Sequence, residues 1–391
     1  MREKQRLIQA IPENEVVDLT QKLVRIPSLT GSEKEIAQFI YDYSRSSDLS
    51  VSLIDVESSR PNVMVRLKGK GEGPTILLNG HMDTVPPGEG WTQDPFAGEA
   101  IGNFIYGRGA ADMKGGLAVF IVAMKALKQS GLEFPGEIIF VGVVGEEENQ
   151  LGTKHLIRSG LKADYAIVTE PTELRVVNAH KGAINCEITV NGRAAHASTP
   201  EQGLNAIYHA GRLALAFEDY ASQLKGKSHP VLGSPTFVVG TIQGGQVPYM
   251  VADYCKLSID RRLIPGETYE GVFREIEDVI ALEDRKSPGF KTSAKLTVTS
   301  PPMETDPRSA VVVSLRRNAA EVLGVDSGCH GWPAVSDGNL LVEKGIPTAL
   351  FGPGSVGRMA HKPDEGVEID QLKTATKIIA LTLFDLLKGP A

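Results

Sequence analysis

Three apolar runs constrain this 391-residue chain most: TILLNGH (75–81), EIIFVGVVGEE (137–147) and ADYAIVTEP (163–171). Their Val, Ile, Leu and Phe are too continuous for a sheet with one wet face. They read as strands buried on both sides, the kind found in parallel sheets. Helical spacing surrounds them, with Val16, Leu19, Leu23 and Val24 before, and Leu117, Ile121, Met124 and Leu127 between. Strands alternating with helices predict an α/β domain around a mostly parallel sheet. Each run ends in a residue able to hold a cation: His81, then Glu146 and Glu147, then Glu170. In an open α/β sheet that edge is where ligands bind.

The pattern changes near Lys181. The order becomes strand (AINCEITVNG), helix (Asn205 to Leu224), strand (TFVVGTIQ), strand (DYCKLSIDRRL), helix (Tyr269 to Glu283) and strand (AKLTVTS). This βαββαβ order predicts a ferredoxin-like α+β domain over 182–301. It would be inserted into a first domain made of 1–181 and 302–391. A helix from Ala310 to Leu323, a strand in GIPTALFG and a last helix from Asp370 to Leu387 complete the first domain. Ser32 and Glu35 form a capping-box pattern before Ile36, Phe39 and Ile40. The helix from Lys114 to Gln129 is expected to stop at Gly131.

Hydrophobic residues make up 41% and charged residues 23%, enough for a large core that needs no metal to hold it. A net charge of −7 argues against nucleic acid as a partner. No run approaches the roughly 20 apolar residues of a membrane span. The opening MREKQRLIQAIPENE lacks the apolar stretch of a signal peptide. Cys186, Cys255 and Cys329 are odd in number and far apart, which fits a reducing compartment. A cytoplasmic protein is the expectation.

Taken singly, the donors have ordinary explanations. His81 and Asp83 make an H-x-D pair common on surfaces. Asp112, in GRGAADMKGG, stands where a helix cap would stand, and on that motif alone capping is the better reading. Glu146, Glu147 and Glu148 would form a solvated turn. His361 falls in a loop. Taken together, these His and acid groups would repel strongly at one sheet edge. Two divalent cations relieve that, and a carboxylate such as Asp112 can bridge them. Mixed N and O donors favour Zn2+, with Co2+ or Mn2+ as substitutes. The glycines of GRGAADMKGG lack G-x-G-x-x-G spacing and so lend no support to a nucleotide site. Asp337, in SDGNLL, falls in a loop and receives no role.

HMD, GRGAADMKGG, GEEE, VTEP and AHKPDEG, in this order across nearly the whole chain, resemble the co-catalytic zinc family of aminoacylases. Acetylornithine deacetylase, succinyl-diaminopimelate desuccinylase and glutamate-releasing carboxypeptidases belong to that family. The resemblance implies a zinc-exopeptidase-like catalytic domain with two metals bridged by Asp112. His81 and Glu170 would complete one site, Glu147 and His361 the other. It implies Glu146 as general base, with Glu148 leaving a one-residue ambiguity, and Asp83 as partner of His81. It also implies a cis peptide at Asp112–Met113. The inserted domain becomes a lid that closes on substrate and forms a homodimer. His196, in GRAAHASTP, would stabilise the oxyanion in a neighbouring subunit, and Arg262, in DRRLIPGE, would hold a substrate carboxylate. The chain departs from many members at Tyr249 and Ala252, where they carry Asn and Pro. The implied reaction is hydrolysis of an N-acyl amino acid, a small amide bearing a carboxylate. The alternative is a dipeptidase or carboxypeptidase.

Overall fold

The three apolar runs become neighbouring parallel strands in the computed structural model, which describes residues 2–389. In chain order the strands that matter are β1 (Ser50–Glu57), β2 (Arg60–Lys68), β3 (Thr75–His81), β4 (Glu137–Val143), β5 (Tyr165–Val168), β6 (Gly182–Asn191), β7 (Thr236–Gly244), β8 (Tyr254–Leu263), β9 (Lys291–Ser300) and β10 (Thr348–Leu350). The chain divides into two units, 2–178 with 305–330 and 336–389, and 179–304 with 331–335. The short 331–335 segment goes with the second unit, although it lies far beyond the stretch read as the insert.

In the first unit the strand order is β1-β2-β4-β3-β5-β10. The last four are parallel, and β1 and β2 form an antiparallel edge. The register pairs His81 with Val143 and Asn79 with Val168, so the three runs end nearly level. Glu146 and Glu170 therefore leave the sheet beside His81. The mixed α/β class expected from the sequence is what forms.

The helix after GRGAADMKGG departs from its expected form in two ways. It spans Gly115–Gln129 and is buried on nearly every side, not along one stripe. Helices Glu15–Val24 and Ile369–Lys388 pack against it as well as the sheet, so an all-apolar surface is required. Its start is a π-type turn, Ala110–Lys114, in which Asp112 and Met113 are not helical and their peptide is cis. Lys114 holds the cap position and makes no side-chain cap, so Asp112 does not cap the helix. Gly116 lets the helix approach the strand end closely. A Cβ there would lie 2.0 Å from Thr169 Oγ1, beside Glu170.

The Ser32–Glu35 capping box does not form. Helix Lys34–Ser46 begins after Glu33 without a side-chain cap. Buried Glu33 instead accepts Arg60 Nη2 at 2.6 Å, Arg60 Nε at 2.9 Å and Gly31 N at 3.0 Å. A two-pronged charged pair outweighs a neutral cap.

A small sheet of Glu99–Ile101, Phe104–Tyr106 and Gly366–Glu368 was not legible, because three-residue strands carry no period. It matters for the site. Pairing of Val367 with Ile105 brings the His361 loop against the segment that leads into Asp112.

The second unit has strand order β7-β8-β6-β9, antiparallel throughout. Helices Ala206–Gln223 and Tyr269–Lys286 cover one face, burying Leu213, Phe217, Val272 and Ile276 against Ile184, Ile188, Leu257 and Ile259. Asn205 caps the first helix by accepting Ile207 N at 3.0 Å, and Thr268 caps the second by accepting Gly271 N at 3.1 Å. No helix among the described residues is long and apolar enough to cross a membrane. The three cysteines are free.

Candidate metal centre

His81 is the last residue of β3 and is 2% exposed. Its Nδ1 lies 2.9 Å from the backbone carbonyl oxygen of Asp83. A carbonyl only accepts, so Nδ1 carries the proton. In the neutral ring, Nε2 then turns its lone pair on Asp112 Oδ1, 3.1 Å away. Two acceptors at that distance repel unless a proton or a metal ion lies between them. The other Asp112 oxygen, Oδ2, is 3.5 Å from His361 Nε2, which is also 3.1 Å from Glu147 Oε1. Asp112 thus offers one oxygen to each imidazole. The structure brings His81, Asp112, Glu147 and His361 together from four separate stretches of the first unit.

Asp83 contacts both His81 and the neighbouring turn. Its carbonyl orients His81, while its carboxylate is 3.8 Å from Nδ1. That carboxylate accepts Glu146 N at 3.1 Å, Glu147 N at 3.2 Å and Thr30 Oγ1 at 2.9 Å. It fixes the acidic turn as well as the imidazole.

The electrostatics report crowding. Burial pushes Glu146 well above the usual carboxylate range, with Asp337, Glu170 and Glu147 adding to the push and His81 opposing it. Burial does the same to Glu170, with Asp112 the next cause. Burial, with the Asp83 charge adding to it, pushes Asp337 up to about 6. Burial would lower His81, yet the bond to Asp112 and the charges of Glu146, Asp112 and Asp83 hold it well above its ordinary value. His361 is raised, chiefly by its bond to Glu147. Two carboxylates about 4 Å apart cost roughly 4 kcal/mol at an effective dielectric of 20. Either protons or cations must offset that.

The donor set fits divalent cations. Metal–ligand bonds of about 2.0–2.1 Å in a tetrahedron place neighbouring ligand atoms about 3.3 Å apart. The three separations around Asp112, 3.1, 3.5 and 3.1 Å, straddle that value. One possible ligand atom each of His81, Asp112 and Glu147 lies within 4.8 Å of the others. Glu170, 5% exposed, feels the charges of Asp112 and His81 and so stands beside this group.

Beneath these donors lies a further set of contacts that the motif spacing does not reveal. Glu365 is fully buried, and its Oε1 accepts both Ala111 N and Asp112 N at 3.0 Å. Its Oε2 accepts Arg108 Nη1 at 2.5 Å. Arg108 is 1% exposed, lies over the Trp91 ring and donates to the Pro87 carbonyl at 3.0 Å. Glu365 lay inside the quoted AHKPDEG run, but nothing in the spacing separated it from an exposed loop acid. Asp337 is buried under the acidic turn and accepts Thr153 Oγ1 at 2.7 Å.

In the second unit His196 is exposed and Nδ1 rests 2.7 Å from Ser198 Oγ. Its strand-like segment faces the one carrying Tyr249: His196 bridges to Met250, and Ala197 N donates to the Tyr249 carbonyl at 3.0 Å. Tyr249 is 64% exposed and Ala252 is buried. The two arginines of DRRL point to opposite faces of β8. Arg261 is buried on Glu267 at 2.7 Å, and Arg262 is half-buried with Nε 2.9 Å from Asp260 Oδ1.

Comparison with known proteins agrees with this geometry. Residues 77–385 match the model of peptidase family M20/M25/M40. The chain is 32% identical over 403 residues to N-formyl-4-amino-5-aminomethyl-2-methylpyrimidine deformylase of Halalkalibacterium halodurans, covering 95% of this chain and 94% of that one. It is 28% identical to acetylornithine deacetylase of Aliivibrio fischeri, covering 95% and 98%. Its fold is that of aminopeptidase PepT from Bacillus cereus, with a TM-score of 0.82 at 23% identity over 96% of this chain and 99% of that one. The cation-ready cluster and the match across four-fifths of the sequence lead to one conclusion: this chain belongs to peptidase family M20/M25/M40 and is a metal-dependent hydrolase of that family.

Proposed function

We propose that the protein removes a small acyl group from an amine by hydrolysing the amide, using two zinc ions, with Co2+ or Mn2+ as substitutes. The observation that carries this is Asp112, whose two oxygens face two different imidazoles at 3.1 and 3.5 Å. His81 and Glu170 would hold one ion, Glu147 and His361 the other, and Asp112 both. When bound, such ions acidify water and polarise a carbonyl.

The remaining chemistry belongs to the chain. Glu146 sits on the turn fixed by Asp83. Its raised proton affinity suits a group that takes a proton from the attacking water and returns it to the leaving amine. His196 would donate to the oxyanion, and Arg262 would hold a substrate carboxylate through its planar fork.

The acyl group is small in this reading. The deformylase and the deacetylase among the relatives are named for one- and two-carbon acyl groups. The name of the first describes a pyrimidine without a carboxylate, which favours a second reading in which Arg262 has no carboxylate to hold. A turnover screen decides. N-formyl aminomethylpyrimidine, N-acetyl and N-succinyl amino acids and dipeptides would be compared, each before and after chelation. Chelator-sensitive release of acetate or formate is expected. Cleavage of dipeptides alone would replace this reading with the peptidase one, and chelator-resistant turnover would reject both.

The second unit is proposed to mediate a homodimer. Its edge strand β7 has no charged residue and exposes Val238 and Ile242, whereas the opposite edge β9 carries Lys291 and Lys295. Lysines block edge pairing, and their lack permits it. Sedimentation would show a dimer that Ile242→Lys dissociates; a monomeric wild type would reject the assignment.

A further inference from the structure

We propose that Glu365 is a positioning residue that locks the Asp112 turn to the His361 loop and thereby sets the spacing of the metal donors. The inference rests on the two-metal reading above. Glu365 follows His361 by four residues, so one loop supplies a donor and the clamp that holds another donor's turn. The clamp works through side chain and backbone together. Oε1 accepts Ala111 N and Asp112 N, each at 3.0 Å, and the Glu365 carbonyl accepts Gly107 N at 2.8 Å. The turn from 107 to 112 is thus tied near both ends to one residue.

The other oxygen explains why a charged group is needed. Oε2 meets Arg108 Nη1 at 2.5 Å, and both side chains are excluded from water. The Arg108 guanidinium is fixed in turn by the Pro87 carbonyl and the Trp91 ring, 5.2 Å from its centroid. Three N–H donors therefore converge on one carboxylate. A carboxylate accepts all three, while a glutamine amide must turn an N–H toward one of them. The clamp touches only the main chain of Asp112, which leaves the side-chain oxygens free to face His81 and His361. With the main chain held, those oxygens point in fixed directions. Glu365 lies outside the donor set itself, so its effect must appear as a change in how tightly the donors grip.

Groups that orient metal ligands typically change affinity by about 10–100-fold when removed. The test is titration of metal-stripped wild type and Glu365→Gln with Co2+, read from the visible d–d band against a competing chelator. Folding would be checked by circular dichroism and unfolding temperature. Wild type is expected to take two Co2+. The folded variant is expected to bind at least one of them roughly 10–100-fold more weakly, with a changed band shape. A purely structural role would lower the unfolding temperature and leave Co2+ affinity unchanged, and that result overturns the proposal. Failure of wild type to bind Co2+ would reject the two-metal reading itself.

Should the variant not fold, hydrogen exchange on metal-free wild type decides. Amides of Ala111 and Asp112 slowed at least about 100-fold relative to unstructured chain support the clamp, and exchange near the unstructured rate overturns it.

Discussion

In the first unit, His81 is 2% exposed and its Nε2 faces a carboxylate oxygen at 3.1 Å. In the second, His196 is exposed and its Nδ1 already has a hydroxyl partner at 2.7 Å. The same contrast holds between acids and bases of the two units. Glu146 and Glu170 are crowded until their proton affinity rises, whereas Arg262 sits half-buried beside its own neighbour Asp260. A buried cluster that costs free energy without a cation argues for a cation. An exposed side chain with a local partner costs nothing, so its role rests on family resemblance. The first set should therefore respond to mutation through metal and proton chemistry, and the second only through substrate.

The largest effect is expected at Glu146. Glu146→Gln should keep both metal ions and lose roughly 10²–10⁴-fold in kcat, the usual worth of a general base. Metal content by mass spectrometry and single-turnover kinetics would check it. Near-normal kcat would remove Glu146 from the role. Loss of an ion would mean that the register is shifted by one and that Glu146 is a ligand. Glu147→Gln is the paired control, expected to lose metal.

His196→Ala should cost about 10²–10³-fold in kcat, the range for an oxyanion donor, with little change in KM or metal content. A kcat within threefold of wild type would break the assignment and leave His196 as the surface histidine its exposure suggests.

The parallel strands were legible because a run such as IIFVGVV fits only a position buried on both faces. The candidate donors at their ends stand out because strand ends are few and the motifs fall in order. Some contacts could not be read. That Asp83 meets His81 through its carbonyl, with its carboxylate on the next turn, is not visible in H-x-D spacing. Asp112 looked like a cap on its own motif and is none. Glu365 meets Ala111 and Asp112 across more than 250 positions, a distance at which no sequence period operates.

A smaller effect is expected at Arg262. Arg262→Lys should raise KM about tenfold for substrates bearing a carboxylate, because a point charge replaces a two-pronged grip. N-formyl aminomethylpyrimidine, without a carboxylate, should show no change. Equal effects on both would mean that Arg262 acts through its bond to Asp260, as part of β8.

The smallest effect, a shift of a few degrees in unfolding temperature, tests the crowding directly. The sign follows from the direction of each shift in the metal-free protein. His81 and His361 have raised proton affinity, so their contribution is complete below 6.5 and is lost as pH rises through the folded values. Glu146 and Glu170 are also raised, so folding favours their neutral form, and that advantage fades as pH climbs above 4.5. Asp112 is lowered and works oppositely, but only below 3.8. Above pH 6.5 the four raised groups therefore act together and outnumber buried Lys114, which burial lowers to about 7 and which acts oppositely, so the metal-free protein should become less stable as pH rises. With metal bound, ligation requires deprotonated His and Glu, so rising pH favours the loaded form. The gap in unfolding temperature between loaded and stripped protein should widen over that range. A gap that stays constant, with the stripped protein unaffected by pH, would mean that the carboxylates and imidazoles do not form one interacting cluster.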